Sequence, residues 1–97
     1  MKLNQIMKQA QALQEKFKKQ LEDMVVEASA GGGMVSVTMN GNKNVMGVKI
    51  DPEVVDKDDI EMLQDLVTAA VNEASRKVDD AAQRELGSMA GNIPGLF

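Results

Sequence analysis

The spacing of apolar residues changes at residue 25, and that change limits the folds open to this chain. Before that point apolar side chains recur every three or four positions, which places them on one face of a helix. This apolar stripe consists of Leu3, Ile6, Ala10, Leu13, Phe17, Leu21 and Met24. We therefore predict a long amphipathic helix over residues 1–24, with a mostly basic face opposite the stripe.

Residues 25–50 carry the pattern of a β-sheet instead. Three short runs rich in β-branched residues follow one another, at 25–30, 34–39 and 45–50. Glycine and asparagine separate them at 31–33 and 40–42, and these residues readily supply the positive φ angles of tight hairpins. We predict three antiparallel strands in a meander. The apolar pairs at 25–26 and 45–46 point to both faces, so we expect part of the second face to be covered as well.

A second long helix is predicted over residues 58–86. Asp58 is the expected N-cap, because Glu61 three residues later completes a capping box, and Gly87 is the expected C-cap. The apolar residues keep helical spacing, at Ile60, Leu63, Leu66, Val67, Ala70, Val71, Ala74, Val78 and Ala81. Their arc is wider than one surface needs, so we expect a second partner besides the sheet. Residues 87–97 predict an irregular Gly/Pro tail, ordered or disordered.

The size and composition of the chain favour a single α+β domain, residues 1–97, that pairs with a second copy. Its only aromatic residues are Phe17 and Phe97, so the core must be built from small aliphatic side chains and methionine. A helix of ~20 residues spans ~30 Å, whereas a six-residue strand spans ~20 Å. Part of the apolar stripe therefore needs a partner beyond the sheet, and we predict a homodimer.

The residue types that are missing exclude several chemistries. Without His or Cys the chain cannot form a Ser-His-Asp triad, a cysteine nucleophile, a thiolate or imidazole zinc site, or a disulfide. Its carboxylates have the pattern of solvated surface groups, so we expect no enzymatic activity, no cofactor and no small-molecule substrate. We find neither a signal peptide nor ~18 to 20 consecutive apolar residues, so we expect a cytoplasmic protein with no membrane partner.

Two local motifs are better explained by secondary structure than by ligands. The acidic segment 56–61 offers oxygen ligands for a hard cation, but an EF-hand loop needs glycine where Glu61 stands. We interpret the segment as the acid-rich start of the second helix and predict no metal site. The glycines at 31–33 lack the Lys-Ser/Thr and the helix of a phosphate-binding loop, so we interpret them as a hairpin turn.

The distribution of charge is more informative than the net charge of −4. Residues 1–21 carry one acid, Glu15, whereas residues 22–97 carry 14 acids against 6 basic residues. The five basic residues of the first segment are Lys2, Lys8, Lys16, Lys18 and Lys19. A basic segment on an acidic protein is typical of nucleic-acid binding, since lysines that neutralise phosphates release condensed counterions. A solvated helix face explains the same lysines, and the residues alone leave both interpretations open.

The second helix carries three further basic residues, Arg76, Lys77 and Arg84. Asp80 stands four residues from both arginines, and Glu73 stands four residues before Lys77. We expect ion pairs at this spacing, and such pairs reduce the availability of the three cations to phosphate.

Four stretches of the chain carry sequence motifs typical of a known family. They are 34–41, with its Asn-Gly turn, 48–55, with Lys-Ile-Asp-Pro, 63–74, within the Ala- and Asn-containing second helix, and 93–96, Ile-Pro-Gly-Leu. Together they resemble the YbaB/EbfC family of bacterial nucleoid-associated proteins, and the resemblance runs nearly end to end.

The resemblance implies a cytoplasmic homodimer of tweezer shape, located at the nucleoid. It further implies that the dimer binds duplex DNA, alters its conformation and influences nucleoid organisation and gene expression. The family offers no catalytic motif. Its DNA contacts are associated with projecting helical parts, to which these residues correspond here: Lys2, Lys8, Lys16, Lys18, Lys19, Arg76, Lys77 and Arg84.

Two functions therefore compete. The first is a dimeric DNA-binding protein that contacts phosphates with little sequence specificity. The alternative is a protein-interaction adaptor, in which the amphipathic helix and a Met-rich groove hold a partner and the lysines only keep the protein soluble. An enzyme would require a deep pocket with buried carboxylates.

Overall fold

A computed structural model describes residues 2–91 of the chain, and it describes side chains for residues 2–85. The elements are α1 (Lys2–Asp23), β1 (Val25–Ala30), β2 (Val35–Asn40), β3 (Val45–Ile50), a 3-10 turn (Pro52–Val54) and α2 (Ile60–Gly91). The predicted α+β order of helix, three strands and helix is confirmed. The tail predicted for 87–97 is helical up to Gly91, and residues 92–97 lie outside the described part.

The three strands form one sheet in the order β1-β2-β3, with both neighbouring pairs antiparallel. Val37 in the central strand pairs with Ala28 of β1 and with Val48 of β3. This is the meander expected from the sequence, because each turn joins strands that are adjacent both in the chain and in the sheet.

The core lies between one face of the sheet and α2. Side chains of β2 alternate between buried and half-buried positions, as a strand of period two requires. The buried residues are Ala28, Val35, Val37, Met39, Val54, Ala70, Ala74 and Val78. Two of the three residues that α2 contributes are alanines, so the helix backbone lies close to the sheet. The core is therefore aliphatic, as the composition predicts.

The two hairpin turns use glycine for different reasons. At 31–33 all three glycines have positive φ, 65°, 68° and 93°, which confirms the prediction for that turn. At the second turn the residue with positive φ is Lys43, at 64°, and Gly41 is not in that region. The prediction of a positive φ at Gly41 is therefore wrong. Glycine is required there by a close approach to the backbone of Leu21, described below.

The N-cap of α2 lies one residue later than predicted. Asp59, and not Asp58, caps the helix, because Asp59 Oδ1 accepts a hydrogen bond from the Met62 amide at 3.2 Å. Asp58 instead donates its amide to Asp56 Oδ1 at 2.9 Å, within a turn that precedes the helix. The acidic residues still gather at the positive end of the helix dipole.

The end of α2 also differs from the prediction. The helix continues through Gly87 to Gly91, so Gly87 is not a C-cap. One glycine within a helix costs only about 1 kcal/mol relative to alanine, and Ser88, Met89 and Ala90 after it are compatible with helix.

The second face of the sheet is not covered within one chain. Of the predicted pair 25–26, Val26 packs against the core, whereas Val25 points to the second face and is 53% exposed. The cause is the position of α1, which leaves the sheet at its end and buries none of its own residues. The expected cover is therefore not supplied by the described part of this chain.

Candidate nucleic-acid interface

The helix α1 is an arm that projects from the body of the protein. None of its residues is buried, and Leu3 and Leu13 in its apolar stripe are 68% and 63% exposed. Only Phe17 and Leu21, towards its C-terminal end, are half-buried. Because 22 helical residues span ~33 Å, most of the helix extends beyond the sheet, and the protein measures 67 Å along its longest axis.

The five lysines of this arm are all exposed. They are Lys2, Lys8, Lys16, Lys18 and Lys19. Within residues 2–91, none of them forms an ion pair or donates a side-chain hydrogen bond. Their ammonium groups therefore remain available to an external anion along most of the helix.

Two of the three predicted cations on α2 have partners inside the protein. The Arg76 guanidinium forms an ion pair with Glu73, one turn earlier, and not with Asp80 as predicted. Lys77 Nζ donates to the backbone carbonyl of Glu27 at 2.9 Å, and not to Glu73. Both predicted partners are wrong. Arg76 pairs with the acid three residues before it and not with the one four residues after it. For Lys77, helical spacing identifies neighbours on α2 but not the strand that packs beside it.

The third cation, Arg84, is exposed, and the next residue, Glu85, lies where α1 approaches α2. A cleft of about 700 Å³ opens there between the two helices. Residues that line it include Ala10, Leu13, Phe17 and Leu21 of α1 and Glu85 of α2. The apolar stripe thus faces open space in a single chain.

The basic arm and the acidic segment lie at opposite ends of the sheet. The arm leaves at the turn between β2 and β3, where the Gly41 amide donates to the Leu21 carbonyl. The acidic residues of 51–61 follow the other end, where the Asp51 amide donates to the Met34 carbonyl at 2.8 Å. They are Asp51 and Glu53, together with Asp56, Asp58, Asp59 and Glu61 of the acidic segment. A protein with net charge −4 therefore still presents a cationic end to a polyanion.

Features of the described residues also bear on whether the protein is an enzyme or binds a metal. Among residues whose side chains are described, no charged or polar residue is buried, and no three acids are grouped as metal ligands. No helix within 2–91 is long and apolar enough to cross a bilayer.

Sequence reasoning missed Lys43 at this end of the protein. Its Nζ lies 2.9 Å from Asp79 Oδ1, which joins the β2–β3 turn to α2. In the sequence it is one of the 6 basic residues in the acidic part of the chain. Its place directly after the Asn-Gly turn is the one local signal that marks it.

Comparison with known proteins identifies the family. The model of the YbaB/EbfC DNA-binding family matches residues 1–93. A nucleoid-associated protein of Koribacter versatilis is 54% identical over 96 residues, which cover 97% of this chain and 95% of that protein. Another, from Alkaliphilus metalliredigens, is 51% identical over 100 residues, covering 98% of this chain and 88% of that protein.

A solved structure extends the similarity to the fold. The crystal structure of an uncharacterized protein from Helicobacter pylori matches with a TM-score of 0.74 and covers 90% of this chain and 91% of that one. At 23% sequence identity this likeness shows a shared fold. The family match spans almost the whole sequence, and the two relatives are about half identical to it, so this chain belongs to the YbaB/EbfC DNA-binding family.

Proposed function

We propose that this chain is a nucleoid-associated protein that binds duplex DNA as a homodimer, mainly through phosphate contacts. The observation that supports this most is the projecting helix α1, whose five lysines are exposed and unpaired within the described residues. Lysines that neutralise phosphates release counterions, so such an arm gains affinity for any duplex without reading its bases.

The proposed dimer would cover the apolar surface that one chain leaves open. The register places Val48 and Ile50 of β3 beside Val37 and Val35, on the same face of the sheet as the core. Val48 and Ile50 are nevertheless 44% and 40% exposed, because α2 packs against β1 and β2. A second copy would extend this core beyond β3 and supply a partner for the apolar stripe of α1.

Dimerisation would also double the number of arms. Two lysine-bearing helices that hold one duplex from both sides bind more tightly than either alone, because the second contact is intramolecular. Among the α2 cations, we expect Arg84 to contribute more than Arg76 and Lys77, whose charged groups are already engaged.

Sequence specificity is expected to be low. The lysines contact phosphates, and phosphate contacts position a protein without reporting which bases lie between them. Any preference would come from the shape and deformability of the duplex, and binding would alter DNA conformation accordingly. On this proposal the protein acts in the cytoplasm, at the nucleoid, where it influences nucleoid organisation and gene expression.

The proposal is tested by charge reversal on the arm. In the variant Lys8→Glu, Lys16→Glu, Lys19→Glu, we expect a DNA gel shift to be lost while sedimentation still shows a dimer. Unchanged DNA binding would overturn the assignment of these lysines. A dimer lost together with the gel shift would instead attribute the loss to assembly.

The salt dependence of binding distinguishes the adaptor function from DNA binding. The exposed apolar stripe is the observation that favours an adaptor. An apolar groove would hold a protein partner at ~200 mM salt, whereas binding through several phosphates weakens steeply between ~50 and ~200 mM.

A further inference from the structure

We propose that the turn between β2 and β3, residues 40–44, sets the direction of α1, with Gly41 and Asn40 as positioning residues for the lysine arm. Only the DNA measurement in the test below rests on the proposed function. The direction of the helix is a property of the protein alone and can be measured without DNA.

Gly41 holds the C-terminal end of α1 by its backbone. Its amide donates to the Leu21 carbonyl at 2.8 Å and to the Met24 carbonyl at 2.9 Å. Carbonyls in the last turn of a helix lack the usual amide four residues later. Besides the Gly41 amide, the Leu21 carbonyl accepts only a longer bond of 3.3 Å from the Met24 amide among the backbone contacts described. The turn therefore caps α1 and fixes where the helix meets the sheet.

The approach is too close for any residue larger than glycine. A Cβ built on Gly41 would lie 2.9 Å from Leu21 Cα and 3.0 Å from the Leu21 carbonyl carbon, and both are backbone atoms. Because no side chain can rotate away, a methyl group at this position must displace the end of α1. Gly41 has no positive φ, so the need for glycine comes from this contact and not from backbone conformation.

Asn40 gives the turn its shape. Its Oδ1 accepts hydrogen bonds from the amides of Asn42 and Asn44, each at 3.0 Å. The ion pair of Lys43 with Asp79 connects the same turn to α2. One short turn thus contacts the end of α1 on one side and the middle of α2 on the other.

A small change at this turn becomes a large one at the lysines. Lys8 lies 13 residues before Leu21. That separation corresponds to ~20 Å of helix, so a rotation of ~10° at the turn moves Lys8 by ~3.5 Å. Such a displacement exceeds the length of a hydrogen bond to phosphate. No residue of α1 is buried, and only Phe17 and Leu21 are half-buried, so the helix is constrained at the end where it meets the turn and β1.

The test measures the direction of α1 with paired spin labels at Gln9→Cys and Ser29→Cys. Both positions are exposed, and the chain has no cysteine of its own to compete for the label. Labelled protein is diluted with excess unlabelled chain, so that the distance reports one protomer. We expect Gly41→Ala to shift the distance by ~3 Å or more, or to broaden its distribution.

Gly47→Ala is the matched control, because a Cβ there meets no atom within 4 Å and the residue has no positive φ. It should leave the distance unchanged. Asn40→Ala should broaden the distribution, whereas Asn40→Asp keeps the acceptor oxygen and should preserve it. This conservative rescue separates positioning from a general loss of stability. If Gly41→Ala fails to fold, the comparison of Asn40→Ala with Asn40→Asp tests the positioning role of the turn.

The DNA measurement uses the same variants. Gly41→Ala retains every lysine and should still weaken binding by about tenfold, since misplaced arms lose phosphate contacts. Unchanged distances in both Gly41→Ala and Asn40→Ala would overturn the positioning role. A wild-type protein that fails to bind DNA would overturn the proposed function instead, and the distances would still test the turn.

Discussion

Lys77 and Glu27 connect α2 to β1 by a hydrogen bond of 2.9 Å, from the Nζ atom of the lysine to the backbone carbonyl of the glutamate. We therefore expect Lys77→Ala to lower the free energy of unfolding by about 1 kcal/mol, because a charge-assisted hydrogen bond is lost at an exposed site. Urea denaturation measures the change. DNA affinity should fall less than in Arg84→Ala, and the opposite order would show that Lys77 serves DNA more than the fold.

Asp59 should prove to be the N-cap of α2. Asp59→Ala removes the acceptor of the Met62 amide and should cost about 1 kcal/mol of stability, the usual value for an N-cap. Asp58→Ala, one residue earlier, removes the same charge but no cap and should cost less than ~0.5 kcal/mol. Thermal melting of the two variants compares them directly, and equal losses would contradict the assignment.

Ala74 limits how closely α2 packs on the sheet. It is fully buried, so Ala74→Leu should overpack the core and destabilise the protein by about 1 to 3 kcal/mol. Ala69→Leu places the same side chain at an exposed position of the same helix and should change stability by less than ~0.5 kcal/mol. Chemical denaturation of both variants gives the comparison. A tolerated leucine at 74 would mean that helix and sheet are less tightly packed than described.

The exposed core face of β3 should be the surface that pairs two chains. Val48→Ser together with Ile50→Ser removes apolar area from that face. We therefore expect the dimer of this variant to dissociate at a higher protein concentration than the wild-type dimer, as measured by sedimentation. Lys49→Ser, on the opposite face of the same strand, should leave the association unchanged. If the double variant remains as tight a dimer as the wild type, the two chains must join elsewhere.

The regular parts of the fold could be read from the sequence because their signals are local and repetitive. Apolar spacing predicted α1 and α2, and alternation such as Val35, Ser36, Val37 predicted a strand with one buried face. The triple glycine at 31–33 predicted its turn because three adjacent positive φ angles leave few other residues possible.

The remaining features depend on parts of the chain that meet only after folding. The contact of Gly41 with Leu21 requires the end of α1 to lie on the turn, which an Asn-Gly pair does not reveal. The partner of Lys77 is a backbone carbonyl 50 residues away on β1, which helical spacing cannot identify. The lysines of α1 were identified by charge alone, and their exposure became visible only when the helix was seen to leave the sheet.

The slope of DNA affinity against salt concentration tests the central claim most directly. A variant with Lys8→Gln, Lys16→Gln and Lys19→Gln keeps the length and polarity of the arm but removes three charges. If these lysines contact phosphate, the slope of log K against log salt should fall in magnitude by about 3 per arm engaged. The control, Lys49→Gln with Lys57→Gln, changes exposed lysines outside α1 and should retain the wild-type slope. A slope that stays at the wild-type value in the arm variant would contradict the account.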